Sequence, residues 1–157
     1  MDKNHHAYLL EGERKTTLAG LLGKLKEEWG IETKGNPDFF VLECETLSIG
    51  EARALKESAT TKPFLGEKIF VIAANFMGHE AQNALLKTLE EPISDTYFFV
   101  IVPNEKILLP TVRSRLLPLR IGAAEGGAKN TPADVLEFLK SPAEERLKIL
   151  GGFLTHE

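Results

Sequence analysis

The feature that most constrains the fold is an uninterrupted apolar run at residues 69–74 (IFVIAA). Successive side chains of a β-strand point to opposite faces of the sheet, so a strand of this composition is covered on both faces. Sheets of that kind are mainly parallel, because helical crossover connections lie on both of their sides. The run therefore predicts a three-layer α/β domain.

Further strands and helices alternate along the rest of the chain, as a parallel sheet requires. Apolar segments of strand length are residues 7–11, 39–42, 97–102 and 116–121, the last placed at a sheet edge by Pro118. Helical patterns cover residues 16–29, 49–58 and 79–89, with a short helix or turn at 108–112. With residues 69–74, the sequence predicts a five-stranded, mainly parallel sheet.

Composition excludes several classes of protein. The chain has 157 residues, of which 43% are hydrophobic, too many for a disordered chain. It has no apolar run long enough to span a membrane and no leading apolar segment, which favours a cytoplasmic location. The single cysteine, Cys44, can form neither an internal disulfide nor a four-ligand zinc site. A net charge of −4 argues against a free-standing nucleic-acid binder.

The composition changes after residue 121. Residues 122–130 contain three glycines and three alanines without an apolar period, which is typical of a linker. Two helix starts follow, each with a hydroxyl residue and then proline, at Thr131 and Ser141. The sequence therefore predicts a core at residues 1–121, a linker at 122–130 and a short helical segment at 131–157.

The connection between the first strand and the first helix has the layout of a phosphate-binding loop, with Gly12, Lys15 and Thr16 in order. A working loop has four residues between two glycines, followed by lysine and a hydroxyl residue. Here two residues separate Gly12 from Lys15, the second glycine is missing, and Glu13 adds a negative charge. The alternative is a tight turn in which Thr16 caps the helix.

The strand at residues 69–74 also lacks the acidic residue that would hold Mg²⁺ through water, because it is followed by Asn75. Asn75 and Asn104 follow neighbouring predicted strands and are candidates for a residual polar site. Asparagines that form turns are the alternative. The sequence predicts neither a metal site nor a bound cofactor.

Two stretches resemble bacterial clamp-loader subunits of the AAA+ class. Residues 82–92 (QNALLKTLEEP) are nearly the signature helix of that family, and residues 108–115 (LLPTVRSR) match its stretch ending in Ser-Arg-Cys. The resemblance extends over about residues 6–121. It implies the AAA+ fold, similar to that of P-loop NTPases, and it makes residues 131–157 a partial lid.

Within this family, the chain is similar to the delta-prime type of DNA polymerase III subunit, which lacks ATPase machinery but keeps the Ser-Arg pair. The resemblance implies that Arg115, with Ser114 as its motif partner, acts as an arginine finger on nucleotide bound by a neighbour. It implies tau/gamma-type ATPase subunits and the delta subunit as partners, and contact with the sliding clamp and primed DNA through the complex. The chain departs from the family at Leu116, which replaces the cysteine, and at Pro103, and we expect no collar among residues 131–157.

Several alternatives stay open at this point. Arg115 is also compatible with a solvated surface charge, and Arg113 with a carboxylate pair. From Asn104 to Arg120, four basic residues and one acidic residue give a local net charge of +3. That charge suits an anionic partner, or an edge strand protected by cations. The rival functions are an interaction-only scaffold, a weak ATP-binding NTPase and an unrelated enzyme on a Rossmann-like sheet.

Overall fold

A computed structural model of the chain describes residues 5–121. The segments predicted as linker (122–130) and helical remnant (131–157) lie outside the described residues. The elements in chain order are β1 (Ala7–Glu11), α1 (Arg14–Trp29), β2 (Phe39–Leu47), α2 (Ile49–Ser58), β3 (Lys68–Met77), α3 (His79–Glu90), β4 (Thr96–Val102), a 3-10 turn (Glu105–Ile107), α4 (Pro110–Arg113) and β5 (Leu117–Pro118).

The strands form one five-stranded sheet in the order β2-β3-β4-β1-β5, and every pair is parallel. The predicted α/β class and parallel sheet are confirmed. β5 lies at an edge, as Pro118 predicts, but it pairs over only two residues rather than six. Proline has no N–H to donate, which limits how far this strand extends the ladder.

The strand with the apolar run lies inside the sheet, between β2 and β4. Phe70 and Ile72 face a core shared with α2, α3 and α4, whereas Ile69 and Val71 face a core shared with α1. All four side chains are fully buried. The three predicted layers follow directly from this alternation.

The ends of α1 and α2 have the capping residues that local sequence favours, except that the start of α1 differs from the prediction. Ser48 and Glu51 form a capping box at the start of α2, and Gly30 ends α1 in the left-handed conformation. The expectation that Thr16 caps α1 is wrong. The helix begins at Arg14, and Glu13 is its cap residue.

Two buried charges shape the loop between α2 and β3. The carboxylate of Asp38 accepts hydrogen bonds from the backbone N–H groups of Phe64 and Leu65. The Nζ of Lys68 donates to the Ser58 carbonyl at 2.6 Å. Burial lowers the pKa of the Lys68 ammonium, which the charge of Asp38 partly offsets. Asp38 and Lys68 thereby fix the backbone of the loop between α2 and β3.

In the part of the chain that the structure describes, no helix has both the length and the apolar character needed to cross a bilayer.

Candidate functional site

The turn that leads from β1 into α1 depends on glycine. Gly12 has a φ of 155°, and a Cβ placed there would lie 2.4 Å from the Oγ1 of Thr17. Its N–H donates to the carbonyl of Val102 on β4 at 3.0 Å. Gly12 therefore closes a tight turn directly onto the sheet, and no second glycine opens the loop further.

Glu13 accepts hydrogen bonds from the backbone N–H groups at the start of α1, which in a phosphate-binding loop would point at an anion. Its carboxylate accepts hydrogen bonds from the N–H of Lys15 at 2.8 Å, the N–H of Thr16 at 2.9 Å and the Oγ1 of Thr16 at 2.8 Å. Partial desolvation acts to raise the pKa of Glu13, but these hydrogen bonds outweigh it, and the pKa is lowered from 4.5. The positive end of α1 thus holds an anion from its own chain.

Arg14 ties the same turn to β2. Its Nε lies 3.0 Å from the Oε2 of Glu43, and its Nη1 donates to the Cys44 carbonyl at 2.8 Å and to Glu45 at 3.2 Å. The side chains of Arg14 and Glu43 are only 19% and 10% exposed. Sequence reasoning missed this cluster. The signal that could have revealed it is the spacing of Glu43 and Glu45, because residues two positions apart in a strand lie on the same side. That signal was missed because β2 extends to Leu47, beyond the predicted end at residue 42.

Cys44 lies in this acidic neighbourhood. Burial, followed by the negative charge of Glu51, raises the pKa of the Cys44 thiol to about 11, although Arg14 opposes the rise. A thiol with such a pKa is almost entirely protonated at neutral pH, and the thiolate is the reactive form.

The two asparagines predicted to share a polar site have separate partners. The amide of Asn75, which lies within β3, donates to Glu45 at 2.9 Å. The Oδ1 of Asn104 accepts from the N–H of Lys106 at 2.9 Å and caps the 3-10 turn. The structure does not join these amides in one site, and Asn104 follows the turn-forming alternative.

Arg115 follows α4, and its guanidinium is held by its own chain. The Nε donates to the Oε1 of Glu90 at 2.6 Å, and the Nη2 contacts the same carboxylate. The Nη1 donates to the Thr111 carbonyl at 2.7 Å and lies 3.2 Å from the Oγ of Ser114. The side chains of Arg115 and Glu90 are 33% and 41% exposed.

Arg113 pairs with a different carboxylate from Arg115. Its Nη1 lies 3.8 Å from a carboxylate oxygen of Glu105 on the 3-10 turn. The alternative of a carboxylate pair for Arg113 is confirmed.

The segment before Arg115 is fixed to α3 by a buried glutamine that sequence reasoning missed. The side-chain amide of Gln82 donates to the carbonyls of Met77 and Ile107, at 2.9 and 3.1 Å. Its Oε1 accepts from the N–H of Leu109 at 2.6 Å. Gln82 is 1% exposed, so all three bonds are shielded from water. α3 thus positions the Arg115 segment through Gln82 at its start and Glu90 at its end.

Among residues 5–121, no three His, Cys, Asp or Glu side chains are grouped so that they could hold a metal ion. The polar groups between β1 and α1 are closed on one another through Glu13, whereas Arg115 is a partly exposed arginine that pairs with Glu90.

Comparisons with known proteins point to one family. The family described as "DNA polymerase III, delta subunit" matches residues 1–125. The chain is 31% identical over 177 residues to the DNA polymerase III subunit delta' of Pseudomonas aeruginosa, covering 94% of this chain and 53% of that protein. It is 35% identical over 135 residues to subunit delta' of Bacillus subtilis, covering 73% and 41%.

A solved structure supports the fold. A DNA polymerase III gamma subunit-related protein from Thermotoga maritima superposes with a TM-score of 0.64 at 22% identity, covering 94% of this chain and 49% of that chain. The chain spans about half the length of the delta' relative from Pseudomonas aeruginosa. The family match covers most of this chain, and the chain belongs to the DNA polymerase III delta subunit family as a delta-prime-like member.

Proposed function

We propose that this chain is a non-hydrolysing subunit of the DNA polymerase III clamp loader, which offers Arg115 in trans to ATP bound by an adjoining subunit. Its partners are ATPase subunits of the tau/gamma type and the delta subunit, in the cytoplasm. Through the complex it takes part in placing the sliding clamp on primed DNA. The observation that carries the proposal is the contrast between a closed phosphate-loop position and an exposed arginine.

The absence of ATP hydrolysis by this chain is supported by Glu13. Its carboxylate already accepts the N–H groups of Lys15 and Thr16, the same kind of donors that would cradle phosphate oxygens. A triphosphate would have to displace this carboxylate against like-charge repulsion. In addition, β3 carries Asn75 rather than a carboxylate for Mg²⁺, and the amide of Asn75 is bound to Glu45.

The role of Arg115 is supported by its exposure and by the stiffness of its support. The side chains of Arg115 and Glu90 are 33% and 41% exposed, so water reaches their ion pair and the pair is open to exchange. The preceding segment is anchored to α3 by Gln82, whose side chain is buried. A planar, permanently charged fork on a rigid segment is suited to stabilise the charge that develops on a transferring phosphoryl group.

The test is reconstitution of the full chain with the tau/gamma-type and delta subunits. Removal of an arginine finger lowers hydrolysis by about 10³-fold or more at the site it serves. We therefore expect Arg115→Ala to abolish the part of the ATPase activity that depends on this chain. Arg113→Ala is the matched control, because it removes an equal charge two residues away that pairs with Glu105.

Two outcomes would contradict the proposal. Unchanged ATPase activity with Arg115→Ala would leave only an interaction scaffold. Hydrolysis of Mg-ATP by the purified chain alone, lost with Lys15→Ala, would identify a weak NTPase instead. A nucleotide titration of the isolated chain therefore accompanies the reconstitution.

A further inference from the structure

The ion pair between Arg115 and Glu90 connects the two stretches that mark this family. Glu90 is the last residue of α3, and Arg115 follows α4. The contact joins residues 25 positions apart, so it exists only because α3 and α4 pack side by side. The orientation of the guanidinium therefore depends on the end of α3.

The contacts occupy each nitrogen of the guanidinium. Nε and Nη2 face Glu90, and Nη1 faces the carbonyl of Thr111. In this arrangement the planar fork that would clamp a phosphate is already used by one carboxylate and one carbonyl. To reach a neighbour's nucleotide, Arg115 has to leave Glu90.

We propose that Glu90 is a positioning residue that holds Arg115 in cis and competes with the neighbouring subunit's nucleotide for the same guanidinium. This inference rests on the proposed function of Arg115. The competition is uneven, because a triphosphate carries several negative charges and Glu90 carries one. The exposed pair is strong enough to keep Arg115 folded back in the free chain and weak enough to be displaced in the complex.

The neighbouring residue provides a matched control. Glu91 has the same charge and follows directly after α3, yet within residues 5–121 no ion pair of Glu91 is present, and its N–H closes the helix on Lys87. Glu90→Gln and Glu91→Gln change the net charge equally. Only the first releases Arg115.

The experiment measures ATP hydrolysis by the reconstituted complex as a function of ATP concentration. If Glu90 withholds Arg115, Glu90→Gln lowers the KM for ATP by about two- to fivefold, the range expected for an exposed pair, with a smaller change in kcat. Glu91→Gln leaves both constants unchanged, and Glu90→Asp, which keeps the charge, gives an intermediate KM. On an Arg115→Ala background, Glu90→Gln has no effect.

The outcomes separate this inference from the function on which it rests. If Arg115→Ala alone leaves hydrolysis unchanged, the proposed function fails. If Arg115→Ala lowers hydrolysis but Glu90→Gln behaves like Glu91→Gln, only the role of Glu90 is overturned. A raised KM with Glu90→Gln also overturns it, because Glu90 would then assist engagement. Equal unfolding midpoints of the two glutamine variants establish that a KM difference is not a folding defect.

Discussion

Arg14 and Arg115 both form an ion pair, but the two pairs differ in how much of their side chains water reaches. Arg14 is the first residue of α1, and the side chains of its pair with Glu43 are 19% and 10% exposed. Arg115 follows α4, and its pair with Glu90 is 33% and 41% exposed. Both guanidiniums contact a carboxylate and a backbone carbonyl, so the contact pattern is nearly the same.

The difference in burial decides what each arginine can do. Breaking the Arg14 pair leaves a carboxylate that water reaches poorly, which is costly. Breaking the Arg115 pair exposes two groups that water already solvates in part, which costs little. Arg14 is therefore part of the permanent structure, whereas Arg115 is available for exchange with another anion.

The largest expected effect on stability is that of Arg14→Met. It keeps an unbranched side chain but leaves Glu43 without its cation, and we expect a loss of about 2 kcal/mol in the free energy of unfolding. Urea unfolding followed by circular dichroism measures it. A loss no larger than that of Arg115→Met would remove the distinction drawn between the two pairs.

A smaller effect on the free energy of unfolding is expected at Glu13, the N-cap residue of α1. Glu13→Ala removes the acceptor for the N–H groups of Lys15 and Thr16 and should cost about 1 kcal/mol. The folded-state pKa of Glu13 lies below 4.5, so the charge of Glu13 contributes fully above pH 4.5, and this contribution is lost as the pH falls through the folded-state pKa.

Glu13→Gln is the matched variant, because it keeps an acceptor oxygen but no charge. The stability difference between wild type and Glu13→Gln should be constant near pH 7 and shrink below pH 4.5. A difference that grows on acidification would show that the carboxylate is not stabilised by its hydrogen bonds.

The smallest effect is expected for Arg115→Met in the isolated chain. An exposed pair contributes about 0.2–1 kcal/mol, and we expect a loss at the lower end of that range. The same urea experiment measures it. A loss above about 2 kcal/mol would mean that Arg115 is needed for folding, and its availability to a neighbour would then be doubtful.

Much of the fold was predictable because its signals are local. The capping box at Ser48 and Glu51, the helix stop at Gly30 and the edge position of Pro118 each depend on residues within a few positions. The choice of Thr16 as the cap of α1 was wrong because the helix begins earlier, at Arg14, and the carboxylate of Glu13 accepts the N–H groups of Lys15 and Thr16.

The candidate site was only half predictable. Motifs pointed to Arg115 and Ser114, but not to their supports, because Glu90 and Gln82 lie 25 and 27 residues from the groups they bind. The pairing of Arg14 with Glu45 spans 31 residues. No periodicity or cap signal reports contacts at such separations.

The sequence by itself determined the layers of this protein and the short glycine turn before α1, because apolar periodicity and glycine spacing act through the nearest residues. Only the tertiary structure decided which of the two arginine ion pairs is the more buried. That outcome depends on how two faces of one sheet are covered, and thus on packing between elements that are distant along the chain.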